Sequence, residues 1–323
     1  MVQIGIILTR QHRLLSVAAI LDVFETVNKF YEQEGKEKIF NIDVIDAYEK
    51  DQSSFNQYRT KKPEEISKYE LILVPAFNSD NNMSTAIQLN ESYLGWLCNQ
   101  YKKGASIASF CTGAFLIAAA GLLNDKCATT HIDATGAFAM AFPAVKLQAN
   151  AIVTQDDGIF TSGGSTNTFH LLLCLIEKYC DRDTAIKISK YFAIDMDREQ
   201  QAYFGTFNPV AAHDDKQINK VLQQISQNYA EINTIEQLFH DVPASRRTMV
   251  RRFKLITGTT PIEYLQRTRI EAAKKILEKK TGNVLESMIA SGYNDEKAFR
   301  MLFKKTVGMT PSAYRQKYIP SRV

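Results

Sequence analysis

Residues 245–278, SRRTMVRRFKLITGTTPIEYLQRTRIEAAKKILE, and residues 292–318, GYNDEKAFRMLFKKTVGMTPSAYRQKY, are two versions of one pattern. Slid by 50 positions, Phe253-Lys254 falls on Phe303-Lys304, Gly258 on Gly308 and Thr260-Pro261 on Thr310-Pro311. Tyr264, Gln266 and Glu236 recur as Tyr314, Gln316 and Glu286, and the cap residues Ser245 and Asp295 share the offset. Two copies are too few to stack as a solenoid, so the pattern predicts a duplicated helical unit. In the first copy Ile235, Leu238 and Phe239 form a helical apolar stripe that breaks at Asp241-Val242-Pro243. Ser245 then caps a helix with Met249, Phe253 and Ile256 inward, ending at Gly258. In the second copy Leu285, Met288 and Ile289 form the stripe and Gly292-Tyr293-Asn294 the turn; Asp295 caps a helix that buries Phe299, Leu302 and Phe303 before Gly308. A helix from Pro261 through Lys279, apolar at Tyr264, Leu265, Ile270, Ala273 and Leu277, joins the copies.

The positive charge lies in the same segment. Residues 216–323 hold 20 Lys and Arg against 9 Asp and Glu, a net of +11, whereas residues 1–215 net −7 and the whole chain +4. An acidic body joined to a basic module fits a module that meets polyanions, although charge alone leaves open a merely solvated basic surface.

The duplicated segment resembles the double helix-turn-helix DNA-binding domain of AraC/XylS-type transcription regulators over about 100 residues, with order and spacing intact. That resemblance implies a double-stranded DNA operator as partner. In such units the second helix enters the major groove. With Met249, Phe253 and Ile256 inward, Arg247, Val250 and Arg251 face outward, and Glu296, Lys297, Arg300 and Met301 hold the equivalent positions. Arginine pairs bidentately with guanine, so Arg247 and Arg251 are the stronger base readers. Lys254 and Lys304, one turn on, suit phosphate contacts that fix register. The family usually carries arginine where this chain has Met301, which points the second unit toward thymine methyls or nonspecific affinity.

Residues 1–205 alternate short apolar runs of buried-strand length (Ile4–Leu8, Ile42–Ile45, Leu71–Val74, Ser106–Ser109) with helical patterns such as Ser16–Lys29 and Ala86–Lys103. This rhythm predicts an α/β fold with a mostly parallel, doubly wound sheet. Asp156-Asp157-Gly158 reads as a hairpin turn and Arg182–Phe192 as a last helix. The stretch GTFNPVAAHDDK from Gly205 to Lys216 combines Gly, Asn-Pro and a charge change and reads as a linker. The expected division is 1–205, a linker at 206–216, and 217–323.

Ile107 to Ala114, IASFCTGA, runs from strand through turn into helix and sets Cys111 above the carboxyl ends of the strands, where open α/β sheets bind ligands. The dipole of the following helix would favour its thiolate. Residues 108–132, ASFCTGAFLIAAAGLLNDKCATTHI, with TSGG at 161–164, resemble the PfpI/intracellular-protease branch of the class I glutamine amidotransferase-like fold, above all the version fused ahead of an AraC-type domain. Catalytic or redox relatives bring an acid from the first helix to the cysteine; counted back from Asp22, that position holds Ser16. Cys111 and His131 could suggest a cysteine-hydrolase pair, but without that acid the expectation is no catalytic residue and a ligand pocket lined by Cys111, Thr112, His131, Asp22 and Gly163. Cys98, Cys127, Cys174 and Cys180 read as core residues, and the five scattered cysteines include no CxxC or zinc spacing. No metal or cofactor is expected.

The longest apolar run, Phe115–Leu123, is far short of the roughly 20 residues of a membrane span, and Met1–Arg10 reads as a strand rather than a leader. The resemblance thus implies a cytoplasmic, homodimeric DNA-binding transcription regulator whose PfpI-like domain senses a small molecule of unknown identity, with no membrane partner. The rival readings are a cysteine hydrolase or amidotransferase-like enzyme with an accessory DNA-binding module, and an architectural DNA-binding protein without an effector.

Overall fold

The apolar runs of the N-terminal half pair side by side. In the computed structural model, which describes residues 1–48, 58–65, 68–79, 82–196, 215–232, 234–240, 244–279 and 281–319, the chain divides into two units, Met1–Gln201 and Ala202–Val323. Most of the expected linker, 206–214, and the expected break at Asp241-Val242-Pro243 lie outside the described residues.

The first unit begins with β1 (Val2–Ile7), α1 (Leu14–Gln33), β2 (Phe40–Ile45), β3 (Arg59–Lys61) and β4 (Leu71–Val74). There follow α2 (Met83–Gln88), α3 (Ser92–Lys102), β5 (Ser106–Phe110), α4 (Gly113–Ala119), β6 (Cys127–Ala128), α5 (Thr135–Ala141) and β7 (Lys146–Leu147). The unit closes with β8 (Val153–Asp156), β9 (Ile159–Ser162), α6 (Asn167–Tyr179) and α7 (Arg182–Tyr191). Seven strands form one sheet in the order β3-β2-β1-β4-β5-β9-β8. All neighbours run parallel except β8 and β9, which pair antiparallel across the Asp157-Gly158 turn.

Both faces of the sheet are covered, which is why its strands read as continuous apolar runs rather than as an apolar–polar alternation. Leu71 and Leu73 point into one core with Val17, Phe24, Leu171 and Ile188, while Ile72 and Val74 point into the other with Leu97, Ala114 and Phe115. The expected helix 86–103 is in fact two, α2 and α3, separated at Leu89-Asn90-Glu91. There the buried Asn90 side chain donates to the Ala86 carbonyl and accepts the Arg10 N–H at 2.7 Å, so a polar anchor to the β1 end displaces the helical ladder.

The second unit is all helical: α8 (Lys216–Asn228), α9 (Ile235–Phe239), α10 (Arg246–Thr257), α11 (Pro261–Leu277), α12 (Val284–Ala290), α13 (Glu296–Val307) and α14 (Pro311–Tyr318). The 50-residue repeat is a repeat of devices. Ser245 and Asp295 cap α10 and α13 through the N–H groups of Thr248 and Ala298. Gly258 and Gly308 end the same helices with φ of 73° and 79°, a conformation glycine adopts without steric cost. Thr260 and Thr310 cap α11 and α14, with proline in the first turn of each. Phe253 meets Tyr264 edge-on at 5.4 Å, and Phe303 meets Tyr314 at 5.6 Å. Helix α11 gives Tyr264 and Leu265 to one core and Ile270, Ala273 and Leu277 to the next, so one rigid helix links both copies.

The copies differ where sequence reading expected them to match. Leu285 and Ile289 are each 58% exposed, not inward; only Met288 of that stripe is buried. In the first copy the equivalent Phe239 packs in a core to which α8 contributes Ile218, Val221, Leu222 and Ile225. Fifty residues on, those α8 positions are Thr268, Glu271, Ala272 and Lys275 of α11, which cannot supply the same apolar cover.

Candidate functional site

Helix α10 holds its shape by burying Met249, Phe253 and Ile256, which leaves Arg247, Arg251 and Lys254 exposed on the far side. Among the described residues neither Arg247 nor Arg251 has an ion-pair partner. Val250, expected outward, is half-buried against the first-copy core, since it sits at the margin of the apolar stripe. Two neighbouring arginines are committed elsewhere. Arg246 pairs with Glu236 of α9 at 2.6 Å, and Arg252 grips the carboxylate of Asp215 through Nε at 3.0 Å and through Nη2, while its Nη1 donates to Gln217 at 2.6 Å. Asp215 in turn caps α8 by accepting the N–H groups of Gln217 and Ile218.

On α13 the residues Glu296, Lys297, Arg300, Met301 and Lys304 are all exposed, Met301 at 64%. Here the arginine is not free: Nε and Nη2 of Arg300 both lie 2.7 Å from Oε1 of Glu296, one turn away. The first copy therefore presents two uncommitted guanidinium groups, and the second a self-paired one beside a methionine.

In the first unit the turn after β5 carries Cys111 with φ of 55°, in the left-handed region that non-glycine residues rarely occupy. The turn is held on both sides. The Cys111 N–H donates to the Ser162 carbonyl at the end of β9, and Thr130 Oγ1 donates to the Cys111 carbonyl. Gly113 presses on β4, so that a Cβ there would lie 2.4 Å from the Val74 carbonyl oxygen. The Cys111 side chain borders a cavity of about 390 Å³. Its walls come from the entry to α1 (His12 through Ser16, with Ala19), the loop after β4 (Ala76, Asn78) and the segment leading into α6 (Ser165, Thr166, Thr168, Phe169).

Of the five expected ligand residues only Cys111 lines this cavity. Asp22 is exposed and absent from the wall. Thr112 is occupied, its Oγ1 donating to the Phe77 carbonyl at 2.7 Å and accepting the Phe77 N–H. Gly163 is buried where it continues β9, its N–H donating to the Ile152 carbonyl. His131 packs flat on Gly164, where a Cβ would come within 2.2 Å of the ring, and its Nδ1 accepts the Asp133 N–H at 3.2 Å.

Burial opposes charge on both members of the suspected pair. Burial pushes the Cys111 thiol up, against the backbone N–H groups of Ser165 and Thr112 and the charge of Arg13, so the expected dipole-stabilised thiolate is not what this site favours. Burial also holds the His131 imidazole below its ordinary value, with Asp133 opposing and Arg13 reinforcing. Ser16, at the position where an activating acid was sought, lines the cavity and accepts the Ala76 N–H on its Oγ at 3.1 Å. Of the other four cysteines, half-buried Cys98 and Cys180 pack against the two cores as expected, whereas Cys127 is half-buried outside them and Cys174 is exposed on α6. Among the described residues no three His, Cys, Asp or Glu side chains are grouped to hold a metal, and no helix is long and apolar enough to cross a membrane.

Sequence reasoning missed Arg13, Leu14, Leu15 and Phe169. Their signal was positional: the loop after a first parallel strand ends at the carboxyl edge of the sheet, where ligands bind.

Comparison with known proteins separates the same two parts. Residues 64–178 match the DJ-1/PfpI family, and residues 240–317 match a helix-turn-helix domain. The chain joins a DJ-1/PfpI domain to an AraC-type helix-turn-helix domain. The HTH-type transcriptional regulator GbdR of Pseudomonas aeruginosa is 24% identical over 236 residues, covering 71% of this chain; the match spans about 62% of that relative's length. The bifunctional transcriptional activator/DNA repair enzyme AdaA of Bacillus subtilis is 35% identical over 103 residues, 32% of this chain and 49% of AdaA. A crystal structure of a transcriptional regulator protein from Vibrio parahaemolyticus superposes with a TM-score of 0.50 at 18% identity, covering 59% of this chain and 98% of that one. This last likeness is of fold alone, and it agrees with the parallel sheet of the DJ-1/PfpI domain.

Proposed function

We infer that this chain is a sequence-specific DNA-binding transcription regulator, and that its DJ-1/PfpI domain is a sensor of a small molecule rather than an enzyme. The observation that carries the first part is the duplicated pair of capped helices, with Arg247 and Arg251 exposed and uncommitted on α10. The named relatives, which are transcriptional regulators, support the same reading. The sensor part rests on the cavity at the elbow and on a protonated Cys111 beside a neutral His131, an arrangement without the activated base that a cysteine nucleophile requires. In this reading Arg247, Arg251 and Lys297 face DNA, Lys254 and Lys304 hold phosphates, and Val250, Glu296, Arg300 and Met301 tune the fit. A cytoplasmic homodimer, which would set recognition helices on paired operator sites, completes the proposal.

The test is operator selection from a random duplex pool with the full-length protein, followed by Arg251→Ala and Lys304→Ala. Arg251→Ala should cost about 1–3 kcal/mol at the selected site and relax preference at one base pair, whereas Lys304→Ala should weaken all sequences alike. Failure to enrich any sequence, or equal effects of both substitutions on selected and random DNA, would defeat the reading.

A further inference from the structure

The cavity beside Cys111 has a one-sided chemistry. Among the described residues of its wall only Arg13 is a fixed charge, and none is Asp or Glu. Arg13 has no ion-pair partner among the described residues, and its charge is felt at both Cys111 and His131. It is also the N-cap of the 20-residue helix α1, where it provides no side-chain acceptor, and the first turn carries no acidic residue. The Ser16 N–H is taken by the Arg13 carbonyl at 2.9 Å, so the helix-start donors beside the cavity are the N–H groups of Leu14 and Leu15, which have no intrahelical partner. Ser16 is only 6% exposed; its Oγ already accepts the Ala76 N–H, so what it offers the cavity is its hydroxyl proton. Arg13, the Ser16 hydroxyl and the start of α1 thus all come from one short stretch of chain in the wall, residues 13–16. The rest of the wall is mixed: Leu14, Leu15 and Phe169 are apolar, and Asn78, Ser165 and Thr168 are polar.

We propose, building on the sensor reading above, that the cavity takes a small organic carboxylate, its anionic end on Arg13, Ser16 and the start of α1 and its apolar end against Leu15 and Phe169. A cationic ligand is disfavoured, because among the described residues the wall holds no carboxylate and, besides the His12 imidazole, only the Phe169 ring, too little for the cage that binds ammonium groups. Guanidinium–carboxylate pairing gives affinity and orientation together. A volume of about 390 Å³ lies at the small end of ligand pockets and suits a small organic acid.

The probes are hexanoate and phenylacetate, with hexanamide, hexylamine and inorganic phosphate as controls, titrated calorimetrically into the full-length protein. The carboxylates should bind, and the amide, the amine and phosphate should bind at least about tenfold more weakly. Arg13→Gln should weaken the carboxylates by about tenfold or more at an unchanged far-UV spectrum, and Arg13→Lys should restore part of the loss. Binding of neither carboxylate, equal binding of the amide, amine or phosphate, or indifference to Arg13→Gln would overturn the proposal. Duplex-DNA binding by the same preparations separates the two levels. If DNA is bound but no carboxylate is, the ligand class fails and the regulator reading stands; if DNA is not bound, the regulator reading itself fails.

Discussion

Glu296→Gln is the substitution that tests how the second recognition helix is used. Arg300 donates one hydrogen bond of 2.7 Å from Nε to Oε1 of Glu296 and places Nη2 at the same distance from that oxygen as an ion pair, with side-chain exposures of 43% and 59%. An exposed pair one turn apart on a helix stabilises by about 0.2–0.5 kcal/mol, so the variant should fold as the wild type does. Its consequence lies in binding. While the pair is intact Arg300 delivers no net charge to a phosphate, and the carboxylate is itself repelled by DNA. Glutamine removes the repulsion and frees one cation. One additional phosphate contact steepens the dependence of log K on log salt by about 0.9, so that between 50 and 200 mM salt the variant should lose about 3.5-fold more affinity than wild type does. At the lower salt it should bind random duplex several-fold more tightly. Fluorescence anisotropy on a labelled duplex of scrambled sequence, over four salt concentrations, measures both slopes. An unchanged slope with unchanged affinity would refute the idea that Glu296 withholds Arg300. A selective loss at the chosen operator would mean instead that Glu296 accepts a hydrogen bond from a cytosine amino group.

Gly113→Ala should destabilise the first domain by about 2–3 kcal/mol, seen as a lowered urea midpoint, because the new Cβ would meet the Val74 and Pro75 carbonyl oxygens at 2.4 and 2.9 Å and neither backbone can yield. Cys111 should alkylate no faster than a free thiol at pH 7, with a rate still climbing above pH 9, since burial holds it protonated; Cys111→Ser should keep fold and DNA binding. The carboxyl of Asp215 feels an upward push from burial, but the guanidinium of Arg252 and the N–H groups of Ile218 and Gln217 outweigh it and hold it below the ordinary carboxylate range. Its contribution is therefore complete above the unfolded value of about 3.9 and is lost as pH falls through the lower folded value; the deficit of Arg252→Ala, about 1–2 kcal/mol at neutral pH, should shrink below about pH 4 in parallel denaturation series.

The parts legible from sequence were those set by local rules. Caps at Ser245 and Asp295, left-handed glycines at 258 and 308, and Thr-Pro helix starts are each decided within four residues, so the helix-turn-helix pair could be placed from the chain alone. The buried strands likewise declared themselves as continuous apolar runs. What failed depended on partners distant in sequence. Leu285 and Ile289 look as apolar as Ile235 and Phe239, and only the lack of an apolar α8-like cover exposes them. Thr112 was named for its place beside Cys111 and Asp22 for its place on the first helix, but Thr112 is spent on Phe77 and Asp22 is exposed on α1. Arg13 escaped because an isolated arginine after a strand carries no pattern; its meaning arises when the loop after β1 meets the elbow after β5.

That meeting bears on the choice between sensor and enzyme. A cysteine at a strained elbow is the geometry of a nucleophile, and the positive φ at Cys111 keeps that geometry intact. The chemistry around it is altered. Where an acid would accept a proton stands Ser16, already bonded to the Ala76 N–H, and the nearest strong charge is the cation Arg13. A cation favours thiolate, yet burial outweighs it at Cys111, and the same cation together with burial lowers the His131 imidazole, so both shifts disfavour a thiolate–imidazolium pair. In the sensor reading the elbow retains a concave, backbone-braced site at the carboxyl edge of the sheet, with Ser16 where an activating acid was sought. What such a site does well is hold a ligand, and a cavity whose one fixed charge is positive selects the anionic kind.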